Sequence, residues 1–236
     1  MENIGIILIA GSSTRLIKDI SIKKQFYKIN NKESFLYSLE TFIKSKLFKR
    51  IYLTIDKNDE DIVKSILSKQ KYNFDIKIVY GGTSRLESTY NTLNAIKEDN
   101  LTSSYVFIHD GARPLVSEDL LNRLYNQVKL TNSAIPYTDI YNSMYSIKEY
   151  KYVQRKDYIQ IQTPQVFSFN LIYNSYLKID LSNTSFLDEG SVLKYNNEDI
   201  SFIKGDDFNI KLTDISSLKL IERLLKWHKK LKTFIK

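Results

Sequence analysis

Apolar and polar positions come in alternating blocks over the first 130 residues. Residues 3–10 (NIGIILIA) are almost wholly apolar and end in small residues, the pattern of a strand buried on both faces. Residues 33–45 (ESFLYSLETFIKS) then place Phe35, Leu36, Leu39, Phe42 and Ile43 at helical spacing. A strand is predicted at 50–56, an amphipathic helix at 59–70, and a strand at 74–82 that runs into Gly81-Gly82. A helix at 85–98 carries Leu86, Tyr90, Leu93 and Ile96 on one side. Another buried strand opens into a loop over 104–114 (SYVFIHDGARP), and 117–129 follows as a helix with Ser117 as candidate N-cap. Four strand–helix alternations predict an α/β fold, an open and mostly parallel Rossmann-like sheet with helices on both faces.

The rhythm breaks after Ala134-Ile135-Pro136. Residues 137–160 are rich in Tyr, Asn, Lys and Gln, with short alternating pieces such as SMYSIKEYKYVQ, and predict a hairpin or β-arm projecting from the sheet. Helices are expected again near 169–178 and 188–196. A short strand at 200–205 and a closing helix at 213–233 end the pattern. No repeat, low-complexity linker or boundary divides the chain, so one domain over 1–236 is expected.

Composition narrows the function classes. Hydrophobic content of 42% and charged content of 26% are ordinary for a globular protein. No apolar run approaches the ~18 residues of a membrane helix. Glu2 stands where a signal peptide wants positive charge. Neither a targeting segment nor a membrane partner is therefore expected. The absence of cysteine excludes disulfides and thiolate chemistry and suits a reducing cytoplasm, the expected location. Two histidines, His109 and His228, cannot build a histidine-rich metal site. The net charge of +8 admits an anionic partner, or simply reflects 28 lysines against 7 arginines.

In an open parallel sheet, ligands bind beyond the carboxyl ends of the strands. Three loops leave such ends: AGSSTR (10–15), GGTSRLES (81–88) and HDGARP (109–114). The first lacks the G-x-x-x-x-G-K-[ST] pattern of the usual phosphate loop. Ala10, Gly11 and Ser12 are small enough for backbone N–H groups to approach a polyphosphate or a base edge. Arg15 and Lys24 could neutralise charge growing on a phosphate, or be surface cations beside a plain turn. Ser88 falls in the first turn of a helix, where it could read a base or only cap. Asp110 ends a buried strand, where a carboxylate needs a cation or hydrogen-bond donors. It could place a magnesium–nucleotide, order substrate hydroxyls, or cap the loop. Arg113 could pair with Asp110. His109 reads as a packing histidine rather than a general base. Arg155, Thr163 and Lys211 are suitable partners for a second phosphate, though spacing alone does not bring them together.

The ordered set AGSSTR…KKQF, GGTSRLES, HDGARP, QTPQVF, DEGS and NIKLTD resembles the 2-C-methyl-D-erythritol 4-phosphate cytidylyltransferases of isoprenoid biosynthesis, over about residues 3–225. Their sister family makes CDP-ribitol from ribitol 5-phosphate. The resemblance implies transfer of CMP from CTP to a sugar-alcohol phosphate with magnesium and release of pyrophosphate. It implies that loop 10–15 wraps CTP and that Arg15 and Lys24 stabilise the pentavalent α-phosphorus. Gly82, Thr83 and Ser88 match the cytosine-reading stretch, and Asp110 matches an acidic residue near ribose, metal and substrate. Arg113, Asp139, Arg155, Thr163 and Lys211 fall on the acceptor side. Arg155 and Lys211 are included among the catalytic groups. The arm looks like one through which two subunits embrace, lending Arg155 to the neighbour.

Two departures bear on the ligands. Thr83 offers no carboxylate to a cytosine amine, and the family's Asp-Thr after the fifth strand is Asp139-Ile140 here, leaving Thr138 or Ser143 to compensate. A basic nucleic-acid binder on the same fold is a different class of reading, opposed by the lack of an aromatic-interleaved basic stripe. No nucleic-acid partner is expected.

Overall fold

The computed structural model describes residues 2–11, 22–102 and 104–234, with side chains of the last helix described as far as Trp227. In chain order the elements are β1 (Glu2–Leu8), β2 (Lys28–Ile29), β3 (Lys32–Glu33), α1 (Ser34–Lys44), β4 (Phe48–Ile55), α2 (Glu60–Gln70) and β5 (Ile76–Tyr80). Then come α3 (Arg85–Glu98), β6 (Ser104–Asp110), α4 (Glu118–Thr131), β7 (Ser133–Asp139), β8 (Met144–Ser146) and β9 (Lys151–Val153). The chain continues through β10 (Ile159–Ile161), β11 (Gln165–Ser168), α5 (Phe169–Tyr176), α6 (Glu189–Tyr195), β12 (Phe202–Lys204) and α7 (Ile215–Phe234).

The central sheet has eight strands in the order β10-β7-β11-β6-β1-β4-β5, with β12 paired to β7. Parallel pairs join β1 to β4 and β6, β4 to β5, and β12 to β7. β11 lies antiparallel between β6 and β7, so those two strands share a direction, and β10 is also antiparallel to β7. Only β10 and β11 thus oppose the common direction, and the expected open, mostly parallel α/β sheet is found. β8 and β9 form a separate antiparallel hairpin, the expected arm.

Both faces of the sheet are covered, because successive strand residues point to opposite sides. Ile7, Ile51, Leu53 and Phe107 pack under α1, α2 and α4. Ile4, Ile6, Tyr52, Val106 and Ile108 pack under α3, α5 and α6. Ser84 and Ser117 cap α3 and α4 by accepting from Glu87 and Leu120 backbone N–H groups. A small third core joins Leu218 and Ile221 of α7 to Ile29, Ala112 and Leu212. It ties the last helix to β2 and to the segment just after β6, beside the site.

Candidate active site

β1 has β4 on one side and β6 on the other, so the strand order reverses there and leaves a crevice at the carboxyl ends. A cavity of about 430 Å³ fills it. Ala10 and Gly11 line it from the end of β1, Gly82, Thr83 and Ser88 from the turn after β5, and Asp110 from the end of β6. Lys24 and Lys211 reach it from farther along the chain. Three loops distant in sequence are brought together, as the strand pattern predicts. Ser12 and Arg15 lie outside the described residues.

The first loop is closed at its two described ends by one side chain. Buried Gln25 donates its amide to the carbonyls of Ile9 (2.8 Å) and Gly11 (2.9 Å). Lys23 meets both Asp56 (2.9 Å) and Asp59 (2.7 Å). The 3-10 turn Lys24–Phe26 is thereby tied to β1 and to the end of β4, with Lys24 against the cavity.

The glycines of the second loop serve closeness, since neither adopts a positive φ. A Cβ on Gly81 would stand 2.6 Å from the Ala10 Cβ and 2.7 Å from the Ser88 Oγ. The hydroxyl protons of this corner are committed. Ser88 Oγ donates to the Ser84 carbonyl (2.8 Å) and accepts from the Gly82 N–H (3.0 Å). Thr83 donates both its N–H and its hydroxyl to one oxygen of Glu87, each at 2.7 Å. Those two bonds hold the Glu87 carboxyl below the usual range. An ionised carboxylate only accepts, so Thr83 and Ser88 face the cavity as acceptors. The carboxylate missing at position 83 is supplied one helical turn later, behind the threonine.

Asp110 meets Arg85 Nε through Oδ1 (3.0 Å) and Lys211 Nζ through Oδ2 (2.6 Å). Burial alone would raise its pKa, but Arg85 and then Lys211 hold it far below the usual carboxylate range. Arg85 in turn grips the wholly buried Glu189 with both terminal nitrogens, at 2.7 and 2.9 Å. Burial opposes its charge, and Glu189 and Asp110 outweigh that, raising its pKa. Arg85 and Glu189 lie within GGTSRLES and DEGS, where the sequence assigns neither a role. The available signal was local: an arginine at the first helical position after Ser84 opposes the helix dipole and needs an anion.

Asp110, expected near the metal, has both its oxygens held by cations, Arg85 and Lys211. A magnesium ion in contact with this carboxylate would face Arg85 and Lys211 at hydrogen-bond distance, an arrangement like charges oppose.

The Arg113 guanidinium does not hydrogen-bond the Asp110 carboxylate. Its backbone N–H closes a turn onto the Asp110 carbonyl (2.9 Å), and its guanidinium donates to the Asn209 carbonyl (2.7 Å). Burial lowers its pKa, and the opposing Asp110 charge recovers only part of that. Thr163, expected to hold substrate, lines neither cavity. Its hydroxyl accepts from the Asp110 N–H (3.1 Å) and lies 3.2 Å from His109 Nδ1. His109 Nε2 lies 3.2 Å from the Arg113 carbonyl, which can only accept, so Nε2 carries the proton and Nδ1 receives the Thr163 hydroxyl. Burial pushes His109 down to about 4. It is a neutral, satisfied core residue, and Thr163 braces the end of β6.

A second cavity, of about 460 Å³, has Arg113, Thr138, Asp139, Gln162, Asn209 and Lys211 among its lining residues. Asp139 is paired with Lys204. Thr138 lines this space, whereas Ile140 and Ser143 do not. Lys211 belongs to the walls of both cavities. Arg155 reaches neither. It sits at the base of the arm, bonded to the Tyr141 carbonyl.

Comparison with known proteins gives the family and the fold. The family model described as 2-C-methyl-D-erythritol 4-phosphate cytidylyltransferase matches residues 4–227. The chain belongs to that family. The cytidylyltransferase of Clostridium kluyveri is 32% identical to it over 97% of this chain and 98% of its own. The crystal structure of 4-diphosphocytidyl-2C-methyl-D-erythritol synthase from Anaerococcus prevotii superposes with a TM-score of 0.82 at 29% identity, covering 95% and 96% of the two chains. The cytidylyltransferase of Francisella tularensis gives 0.77 at 29% identity, covering 94% and 98%. In this cytidylyltransferase-family chain no described helix is long and apolar enough to cross a membrane.

Proposed function

We propose that the chain transfers CMP from CTP to 2-C-methyl-D-erythritol 4-phosphate and releases pyrophosphate. The observation that carries this reading is the shared wall. Lys211 stands between a cavity built from strand ends and a cavity built from β7 and the segment before α7, so one cation serves both anions. In the first cavity the acceptor oxygens of Thr83 and Ser88 suit the amino group of cytosine and oppose the keto oxygen of uracil. Ala10 and Gly11 leave backbone exposed to the nucleotide, with Lys24 and Arg15 acting on the α-phosphate. In the second cavity Arg113, Thr138, Asp139 and Lys211 receive the acceptor.

The reaction is in-line. A phosphate oxygen of methylerythritol phosphate attacks the α-phosphorus, the bond to the β-phosphate bridging oxygen breaks, and pyrophosphate leaves with that electron pair. Nothing needs to be bonded covalently to the protein. Positioning two anions and offsetting the added charge supply the rate. Magnesium would neutralise polyphosphate charge, and Asp110 is not offered as its ligand.

The exposed aromatic arm, with Tyr145, Tyr150 and Tyr152, is read as a homodimer contact that carries Arg155 to a neighbour. Light scattering tests that state. A cytoplasmic location accords with a chain free of cysteine. The function is tested by pyrophosphate release with magnesium and CTP, in parallel with methylerythritol 4-phosphate and D-ribitol 5-phosphate. Preference for the first is expected. Preference for ribitol phosphate would overturn the acceptor assignment.

A further inference from the structure

We propose that Arg85 and Glu189 are positioning residues that set where Lys211 stands between the two cavities. The inference rests on the cytidylyl-transfer reading of that site and assigns these two residues a part in it.

Four side chains of alternating charge form a row: Glu189, Arg85, Asp110 and Lys211. The contacts along it are 2.7 and 2.9 Å, then 3.0 Å, then 2.6 Å. The two carboxylates are the buried members and Lys211 is the most exposed: side-chain exposure is 0% for Glu189, 30% for Arg85, 12% for Asp110 and 39% for Lys211. The inner end is fixed from several sides. Thr89 and Tyr176 hydroxyls lie 3.0 and 3.4 Å from Glu189 Oε1. Gln165 of β11 bonds both Asp188 (2.8 Å) and the Gly190 N–H (2.9 Å), pinning the start of α6. The outer end, Lys211, is the member that faces both cavities.

A buried carboxylate is kept only where its charge is answered. Glu189 and Asp110 together answer Arg85, so Asp110 divides its charge between two cations. Lys211 is therefore oriented by Asp110 yet shares that carboxylate with Arg85. An arriving phosphate can take Lys211 over while Arg85 keeps Asp110 paired. Without Arg85, Asp110 would hold Lys211 alone. Without the Glu189 charge, Arg85 would turn its whole charge on Asp110 and loosen Lys211. Either change displaces the one cation that both substrates need.

The test is a double-mutant cycle on single-turnover CMP transfer from labelled CTP, with enzyme in excess. Glu189→Gln is expected to lower the rate about tenfold or more with the KM for CTP within about twofold, and to change it less than about twofold in a Lys211→Ala background, because coupled residues fail to multiply. Arg85→Met/Glu189→Leu, which replaces the buried pair by apolar groups and guards against loss of folding, should behave alike. Equal factors in both backgrounds, or a rise in KM for CTP with the rate unchanged, would overturn the inference while leaving the function standing. Absence of transfer by the unaltered chain would overturn the reading itself.

Discussion

The two cavities are built by opposite means. The first is made of strand ends, small residues and hydroxyls whose protons are already committed, on loops held by Gln25, Lys23 and the Glu87 carboxylate. The second is made of side chains from β7, β10 and the segment before α7, next to an exposed arm. The described part of the first is braced before any ligand arrives, which suits reading one base. The second draws its polar lining from longer side chains, Arg113, Gln162, Asn209 and Lys211 among them. Lys211 and Asp110 are the seam, and most of the buried charge of the site lies along it.

The comparison can be broken most strongly at a cation that acts on the reacting phosphate. Lys24→Ala is expected to lower kcat by about a thousandfold, the scale of one electrostatic group at a reacting centre, with an unchanged circular dichroism spectrum. Near-normal turnover would remove Lys24 from the mechanism.

A pH dependence follows from the shared scaffold behind both cavities. His109 is held neutral, with its pKa lowered to about 4 by burial. The unfolded chain takes up this proton below about 6.5 and the folded chain only near 4. Stability is therefore full above 6.5 and falls as the pH drops from 6.5 towards 4, by about 3 kcal/mol for this group. Urea melts of the native chain and of His109→Asn should show that slope in the first and lose it in the second.

Gly81→Ala probes the first cavity alone. Its methyl would meet Ala10 and Ser88 within 2.7 Å. Overpacking of this kind costs about 1–3 kcal/mol, and the KM for CTP should rise about tenfold while that for the acceptor changes little. A rise confined to the acceptor KM would show that the two cavities are not separate. Thr138→Val probes the other side, with an expected rise of about tenfold in acceptor KM from one lost hydrogen bond and no change for CTP. The smallest effect is expected from Ile140→Thr, within about threefold, since that side chain lines neither cavity. A larger gain in acceptor affinity would return position 140 to the site.

Much of this was legible along the chain. The continuous apolar runs at 3–10 and 104–110 are strands buried on both faces, and the 3.6-residue spacing of Phe35, Leu39 and Phe42 is a helix lying on them. Alternation of the two forces a parallel sheet, and a parallel sheet brings Ala10, Gly82 and Asp110 to one edge. Local pattern therefore reached the first cavity, because its parts are the ends of elements that pattern predicts. Pattern did not reach the partners of Asp110. Arg113, three residues away, was the near candidate, whereas Arg85 and Lys211 lie 25 and 101 positions off. Nor did it show that Thr163 braces β6, that Glu87 orients Thr83, or that Lys211 belongs to two walls. A charge is answered by whatever the fold packs against it, and that choice is made by three-dimensional neighbours. The periodicity of the chain determined the sheet and the edge where chemistry occurs; tertiary packing alone decided which cation meets which carboxylate there.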